Sequence, residues 1–339
     1  MSKYLNVFNT LSEYQAFSAS TEYVQPNVAL VKETNVLYYD YGDNQPQPNY
    51  TDYKVSSKSL VSDGGDTYGL DEKLCLNYIP SGVTSLKEAF SNWSSLEEVT
   101  CKIPDSVTNM DNTFYYCTSL VDAPVIPSSV TSMSYTFYYC TSLVNAPKIH
   151  SVVTSMPYTF SNCTSLVNAP EIPSSVTNME DTFTDCTSLV NAPEIPSCVT
   201  SLSNTFFNCT SLVNAPEIPS GVTNMINTFC QCSSLVNAPN IPESVTDMYS
   251  TFDSCTSLVN APDIPSGVTN IQYTFWACSS LKEVTFLHTT PPTYSTTLQG
   301  CSKLESIYVP DESVDAYKAA TGWSEFASKF KPLSSKPTE

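Results

Sequence analysis

The sequence predicts a solenoid of about ten stacked coils, each 23 residues long. Nine of the thirteen cysteines recur every 23 residues, from Cys117 to Cys301. A phenylalanine stands three residues before each of the first eight, and a leucine stands three residues after each of the nine. A coil of this length cannot bury its own apolar side chains, so the coils must stack and share one continuous core.

The limits of the array follow from its two atypical coils. Trp93 takes the cysteine position of an earlier coil that also has Phe90 and Leu96, and Leu298 takes the phenylalanine position of the last coil. The solenoid is therefore predicted over residues 73–310. Parallel strands lie about 4.8 Å apart, so ten coils would form a rod roughly 50 Å long.

Each coil follows the pattern T-F-x-x-C-T-S-L-V-N-A-P-x-I-P-x-x-V-T-x-M. The segment from leucine to isoleucine, as at residues 166–172, is predicted to form the main parallel strand. Its proline lacks an amide donor, which predicts a short or bulged strand. The V-T-x-M segment predicts a second short strand. The T-F-x-x-C segment predicts a single helical turn, because side chains three residues apart share a helix face.

Residues 1–72 lack the repeat and are predicted to form a small α+β attachment module with a linker. The sequence FNTLSEYQAF indicates a short helix, and residues 28–31 and 36–39 indicate a β-hairpin. The segment YGDNQPQPNY has the composition of a linker.

Residues 311–339 are predicted to form a C-terminal helical cap and tail. Ser313 is placed to cap a helix N-terminus, and Gly322 is placed to end the helix. Such a helix would cover the open end of the last coil. Its apolar residues recur at helical spacing: Val314, Tyr317 and Trp323.

The chain is strongly acidic, with a net charge of −19, fourteen lysines and no arginine. From Pro104 to Ala277 a single lysine, Lys148, accompanies thirteen aspartates and glutamates. Nucleic acid backbones and anionic membranes both require basic side chains, so neither is predicted as a partner. No segment approaches the roughly 20 apolar residues of a membrane helix, and no signal-peptide core is present. This leaves a cytoplasmic protein or one released without the secretory pathway, such as a virion component.

The cysteines predict packing rather than chemistry. The chain has no C-x-x-C pair, and one inward cysteine per coil is typical of a small apolar core residue. The two histidines, His150 and His288, lie in unlike surroundings, and a Cys-His nucleophile pair would need a thiolate drawn out of the buried ladder. Neither a metal site nor a cofactor site is predicted.

One row of acidic residues follows the A-P pair in four coils: Glu171, Glu194, Glu217 and Asp263. Neighbouring coils would place these carboxylates about 5 Å apart, a separation found in the acid pairs of retaining glycosidases. A row generated by a repeat is more typical of solvated surface. No catalytic residue is therefore predicted, and the protein is not expected to be an enzyme.

Tyrosines break the repeat in three consecutive coils near the T-F-x-x-C segment. Phe114 and Phe137 already supply the inward anchors there, so some of these tyrosines should face outward. An exposed aromatic patch favours binding of a glycan or a protein, whereas rings that only cover the turn would be structural. The predicted ligand-binding residues are Tyr115, Tyr116, Tyr135, Tyr138, Tyr139 and Tyr158.

The combination of F-x-x-C-T-S-L with I-P-x-S-V-T resembles the BspA-like, or Treponema pallidum-type, leucine-rich repeats over residues 74–333. The ending, LKEVTFLHTTPPTY followed by LESIYVPDESVDAYKAATGWSEFASKF, resembles the cap of such arrays in gut Bacteroidetes. The A-P pair departs from the commoner aliphatic strand residues. The resemblance implies a leucine-rich-repeat solenoid in a surface protein of these bacteria or their phages.

Together these observations predict a recognition or adhesion protein that displays an acidic, tyrosine-bearing surface to a host glycan or protein. The expected location is a virion or the bacterial cell surface, with other assembly subunits bound through the N-terminal module. Two alternatives remain: a purely structural spacer or decoration protein, and an exported bacterial adhesin.

Overall fold

The structure is a computed structural model that describes Ile79 and residues 83–337, together with the backbone of seven strands in the first 78 residues. These strands are β1 (Leu5–Phe8), β2 (Asn27–Val31), β3 (Val36–Asp40), β4 (Tyr53–Ser57), β5 (Leu60–Ser62), β6 (Tyr68–Leu70) and β7 (Leu74–Tyr78).

The N-terminal strands lead into the first coil through one sheet, in the order β1-β2-β3-β4-β7-β8, where β8 is Leu96–Val99. The β1–β2 and β7–β8 pairs are parallel, and the other pairs of this sheet are antiparallel. Strands β5 and β6 pair separately. The β2–β3 pair confirms the predicted hairpin. The predicted helix overlaps β1 at Phe8 and otherwise lies outside the described residues, as does the predicted linker.

In the middle of the array, neighbouring coils pair through single-residue parallel bridges rather than strands. One ladder joins the residues that follow the V-T pairs, in two runs from Ser85 to Asn178 and from Ser201 to Asn270. The other joins the residues that precede the A-P pairs, from Asp122 to Asn260. The proline in each coil has no amide hydrogen to continue the second ladder, so pairing stops after one residue.

Longer strands form at the C-terminal end, where two successive coils lack the proline. Thr285 and Tyr308 take the proline position there, so their amides remain available for pairing. The register beside Pro262 shifts between Glu283 and Thr285, so the pairing is irregular at the A-P pair. The sheet is parallel, with the order β12-β11-β10-β9: β9 is Asn260–Ile264, β10 is Glu283–Phe286, β11 is Ser306–Val309 and β12 is Phe330–Pro332.

The T-F-x-x-C segment differs from the predicted helical turn. Each coil has two residues with positive φ, five and one positions before the ladder cysteine, such as Asp181 (54°) and Asp185 (59°). A right-handed helix cannot continue through left-handed residues, so the segment forms consecutive tight turns. Successive backbone amides of the segment donate alternately within their own coil and to the next coil. Thr184 N–H donates to Asp181 O in the same coil (3.3 Å), whereas Asp185 N–H donates to Phe207 O in the next (2.8 Å).

The core is a set of side-chain rows, one residue per coil. The phenylalanines from Phe90 to Phe275 are fully buried and stack face to face, with ring centroids 5.5–5.7 Å apart. The threonine before each phenylalanine from Phe114 to Phe275 is also buried. Thr182 Oγ1, for example, lies 2.8 Å from Met179 O and 2.9 Å from Met156 O of the preceding coil. These threonines satisfy turn carbonyls, as expected for hydroxyls at such positions.

The cysteine ladder is buried from Cys117 to Cys278 and half-buried at Cys301, and every described cysteine is free. Each ladder thiol donates to the carbonyl of the phenylalanine in the preceding coil, as Cys163 Sγ does to Phe137 O at 3.1 Å. Burial raises the pKa of Cys163 and Cys209 well above the usual thiol value, and neighbouring thiols raise it further. The ladder cysteines therefore pack as core residues in their thiol form.

The C-terminal segment covers the last coil with both a helix and a strand. Helix α1 (Val314–Ala319) buries Tyr317, and a 3-10 turn (Trp323–Phe326) buries Trp323. The Trp323 ring packs edge-on against Phe286 with a centroid distance of 5.1 Å, and its Nε1–H donates to Pro292 O. Strand β12 then extends the parallel sheet beside β11. No helix of the described residues has the length and apolarity needed to cross a membrane.

The structure of the cap differs from the sequence prediction in two details. Ser313 stands at the N-cap position of α1, but its hydroxyl donates to Thr289 O (2.8 Å) and makes no capping bond. Helix α1 ends at Ala319, so Trp323 belongs to a separate turn that begins after Gly322. Gly322 has a φ of 80°, and an added Cβ would lie 2.6 Å from Tyr294 Cδ1. That position therefore requires glycine.

We expect Phe183→Ala to lower the free energy of unfolding by about 3–5 kcal/mol, because it leaves a cavity in the core. Phe183 stacks on Phe160 and Phe206 at 5.7 Å, so both neighbouring coils lose contacts. Urea unfolding measures the change. Val190→Ala, at a side chain that is 37% exposed in the same coil, is the control and should have a much smaller effect. A loss below about 1 kcal/mol for Phe183→Ala would contradict the inward phenylalanine row.

Thiol titration of the native protein should find few reactive groups, with Cys198, the one exposed described cysteine, reacting first. The unfolded protein should titrate all thirteen cysteines. The raised pKa values keep the ladder thiols protonated, and thiols react as thiolates. The Cys198→Ser variant should lack the fast phase. Several disulfides in the intact mass of the native protein would overturn this account of the ladder.

Deleting residues 311–339 should cause aggregation, because Phe286 and the edge of β11 lose their cover. Size-exclusion chromatography with light scattering detects the change. The control is Lys336→Ala, which removes the ion pair with Asp263 (2.7 Å) and a hydrogen bond to Thr285 Oγ1 (2.9 Å) but leaves the cap in place, so the protein should stay monomeric. A truncated protein that stays monomeric with unchanged stability would identify the tail as a separate appendage.

Candidate functional site

The six predicted tyrosines form one cluster, called here the tyrosine cluster, on the surface made by the T-F-x-x-C turns, called here the turn face. They occupy three positions of the repeat: five, two and one residues before the ladder cysteine. All six are half-buried. The structure therefore places every predicted ligand-binding residue in one contiguous group: Tyr115, Tyr116, Tyr135, Tyr138, Tyr139 and Tyr158.

Each position of the cluster contributes one stacked pair of rings from adjacent coils. Their centroids lie 4.5 to 5.0 Å apart, with interplanar angles of 4° to 9°. Stacking covers ring faces within each pair, so the cluster offers mainly ring edges and hydroxyls to a ligand. The pairs are Tyr116 with Tyr139, Tyr135 with Tyr158, and Tyr115 with Tyr138.

Tyr138 lies at the centre of the cluster. Its ring meets Tyr139 at 5.0 Å and Tyr135 at 5.6 Å in tilted or edge-on geometry, which is favourable for aromatic pairs. Burial raises the pKa of Tyr138 to about 12, with further increases from Tyr116 and Tyr115. The hydroxyl is therefore a neutral hydrogen-bonding group at physiological pH.

Four tyrosines of the cluster have left-handed backbone conformations, with φ between 55° and 59°. Asparagine and aspartate tolerate this region better than bulky residues, and asparagine holds both turn positions in other coils: Asn162 and Asn208 one residue before the cysteine, and Asn204 five residues before it. A residue other than glycine costs about 1–2 kcal/mol there, less for asparagine and aspartate. The turn itself therefore does not select tyrosine. The four residues are Tyr116, Tyr135, Tyr139 and Tyr158.

At its C-terminal edge the tyrosine cluster joins a polar network around Asp181. Thr184 Oγ1 donates to Asp181 Oδ1 (3.2 Å), and Asn204 Nδ2 donates to Asp181 Oδ2 (3.3 Å). Burial and a hydrogen bond with Asp181 raise the pKa of Tyr158. The network holds the last ring of the cluster in place from the next coil.

A second aromatic group on the turn face was not predicted. Trp276 is 40% exposed and holds the repeat position of Tyr115 and Tyr138, six periods after Tyr138. Tyr249 and Tyr273 lie beside it in the repeat, with an edge-on ring contact at 5.8 Å. A tryptophan two residues before Cys278 was the sequence signal. A single tryptophan stands out from the repeat less than tyrosines in consecutive coils do.

The turn face is acidic. Between residues 111 and 277, the six-residue segments before the ladder cysteines contain five acidic residues and no lysine. Asp181 is buried among the hydrogen-bond partners described above, whereas Asp253 is half-buried beside Ser254. This charge favours cationic or neutral ligands over anionic ones. The five are Asp111, Glu180, Asp181, Asp185 and Asp253.

The remaining polar residues do not assemble a reactive centre within the described part of the chain. Glu194 and Glu217 are exposed along a groove of about 360 Å³ formed by the A-P-E-I-P segments of two coils. His288 is buried, with Nε2 lying 2.7 Å from Val268 O. The raised thiol pKa values are the reverse of what a nucleophilic cysteine needs. No cluster of described His, Cys, Asp or Glu residues is arranged to hold a metal ion.

Comparison with solved structures gives leucine-rich-repeat proteins. One is a leucine-rich cell surface protein from Faecalibacterium prausnitzii, with 20% identity over 86% of this chain and 93% of that chain, and a TM-score of 0.42. Another is a leucine-rich-repeat protein from Bacteroides ovatus, with 22% identity over 92% of this chain and all of that chain, and a TM-score of 0.39. A sequence search of curated proteins gave no significant match.

The family comparison covers most of the chain. The model of the BspA-type leucine-rich-repeat region matches six copies, over residues 74–190, 133–259 and 205–320. These ranges contain the bridges, the stacked phenylalanines and the cysteine ladder described above. The chain belongs to the BspA-type leucine-rich-repeat family.

Proposed function

We propose that this protein is a non-catalytic recognition or adhesion protein that engages its partner through the tyrosine cluster. The proposed location is the surface of a virion or of a bacterial cell, with the N-terminal residues attaching the solenoid to other subunits. Membership of the BspA-type family supports an interaction role. The observation that carries the proposal is that six half-buried tyrosines lie together at turn positions that other coils fill with other residues.

The energetics of the turn support a functional reason for these tyrosines. Each of the four left-handed tyrosines costs about 1–2 kcal/mol relative to a right-handed residue. A stacked or edge-on aromatic pair contributes about 0.5–1.5 kcal/mol. The two effects are of similar size and largely offset each other, so tyrosine brings the fold little net stability over asparagine. Stability alone therefore does not explain the tyrosine cluster.

The chemistry of tyrosine suits recognition. Its rigid ring supplies a large contact area at a small loss of side-chain entropy, and its hydroxyl adds a directional hydrogen bond. In this cluster the rings also hold one another in place, so less conformational freedom remains to be lost on binding. The acidic surroundings favour a basic protein or a neutral glycan as the partner.

The Tyr116→Asn, Tyr139→Asn double variant should fold normally and bind its partner at least about tenfold more weakly, as expected for loss of two contact residues. Asn162 and Asn208 already occupy this turn position, so the backbone accepts asparagine. Wild-type protein would first be screened on arrays of host and bacterial surface glycans and proteins. The dissociation constant of the strongest hit would then be measured for both proteins.

The matched control is the Glu194→Gln, Glu217→Gln variant, which changes exposed residues outside the turn face and should bind as the wild type does. Thermal unfolding would confirm that both variants are folded. Unchanged binding by the folded tyrosine variant would refute the role of the cluster.

The alternative function is a rigid structural spacer or decoration protein. The unbroken phenylalanine stack and the coil-to-coil hydrogen bonds favour a stiff rod, which a spacer needs. A spacer has no need of the tyrosine cluster. An array screen without any hit, together with wild-type assembly of the tyrosine variant, would support this alternative.

A further inference from the structure

Trp276 is exposed in a way that the other described tryptophans are not. Trp93 is 6% exposed and Trp323 is fully buried, whereas Trp276 is 40% exposed. No other described aromatic ring pairs with the Trp276 indole, in contrast to the stacked rings of the tyrosine cluster. The indole face is therefore not covered by another ring. An open indole face attracts cations, because the ring carries negative charge density above its plane.

Asp253 lies one coil before Trp276 at the same repeat position. The two coils are joined there by a hydrogen bond from Ser254 N–H to Trp276 O at 2.7 Å. Asp253 Oδ1 accepts a hydrogen bond from Ser254 Oγ at 2.8 Å, and its other carboxylate oxygen has no described ion-pair partner. Burial raises the pKa of Asp253, so an incoming cation would restore favourable interactions that the carboxylate has lost.

We propose that Trp276 and Asp253 bind an arginine or lysine side chain of a protein partner at the C-terminal end of the turn face. Trp276 provides the aromatic platform, and Asp253 provides the counter-charge. Arginine fits best, because its planar guanidinium stacks on an indole while donating to a carboxylate. The absence of lysine from this face between residues 111 and 277 favours a cationic protein over a neutral glycan.

This inference rests on the proposed function and adds the class of partner. Tyr138 and Trp276 occupy equivalent positions six periods apart, so coils with a rise of about 4.8 Å place them roughly 29 Å apart. An extended peptide advances about 3.3 Å per residue, so roughly nine residues span the two aromatic groups. The partner is therefore a protein that presents a basic, extended segment along the turn face.

The test uses the full chain and a fluorescein-labelled peptide of five Arg-Ser repeats. Fluorescence anisotropy gives the dissociation constant, and acrylamide quenching of tryptophan emission reports on the indole, since Trp276 is the exposed described tryptophan. We expect the peptide to bind and to protect Trp276 from quenching. Trp276→Ala and Asp253→Asn should each weaken binding by about threefold to thirtyfold, the range set by cation–π and charge-assisted contacts.

Two controls separate a local site from general attraction to an acidic protein. Glu217→Gln removes the same charge from an exposed residue outside the turn face and should weaken binding by less than about twofold at 150 mM salt. Trp276→Phe keeps an aromatic ring and should bind better than Trp276→Ala. Circular dichroism would confirm that each variant is folded.

Three results would overturn the inference. The first is an equal loss of peptide binding in Glu217→Gln and Asp253→Asn. The second is peptide binding that leaves Trp276 open to acrylamide. The third is binding of a neutral β-1,4-glucan hexasaccharide, but not of the peptide, with dependence on Trp276. If partner binding depends on Tyr116 and Tyr139 but not on Trp276, the proposed function stands and this inference fails.

Discussion

The hydrogen bonding of each coil to the next is the constraint on which this molecule depends. In the turns, amides such as Asp185 N–H donate directly into the following coil, and elsewhere in the middle of the array the coils pair through single bridges. Backbone spacing then determines side-chain spacing, so a residue type that recurs in adjacent coils becomes a row. The phenylalanine stack and the thiol ladder are buried rows of this kind, and the tyrosine pairs are half-buried ones.

The buried rows were predictable because burial acts on one residue type at one position in every coil. Phe183 and Cys186 are fully buried, as the 23-residue period indicated. The turn conformation was predicted wrongly because a spacing of three residues suits both a helical turn and consecutive tight turns. The asparagines and aspartates at left-handed positions, such as Asp181 and Asp185, were the signal that distinguishes the two. The hydroxyl of Ser313 bonds to Thr289, a contact that local sequence does not encode.

The candidate site was partly predictable for a related reason. Tyrosines in three adjacent coils stand out against a repeat, and the structure brings all six together. A single departure such as Trp276 stands out less, because its meaning depends on its exposure, which the sequence does not give. The turn face accepts such departures because its backbone hydrogen bonds, rather than its outward side chains, fix its shape. Outward residues can therefore vary there without rebuilding the core.

The uniform coil also makes the array adjustable in whole units. Every coil presents one side to the coil before it and the matching side to the coil after it, so removal or duplication of an entire unit regenerates the same junction. The coils between Tyr158 and Tyr249 contain near-identical stretches, such as CTSLVNAPEIPS. DNA that encodes repeats this similar is suited to unequal recombination. Each exchange would move the two aromatic groups by one step of about 4.8 Å. Copy number would thus set the distance between the two aromatic groups in steps of one coil.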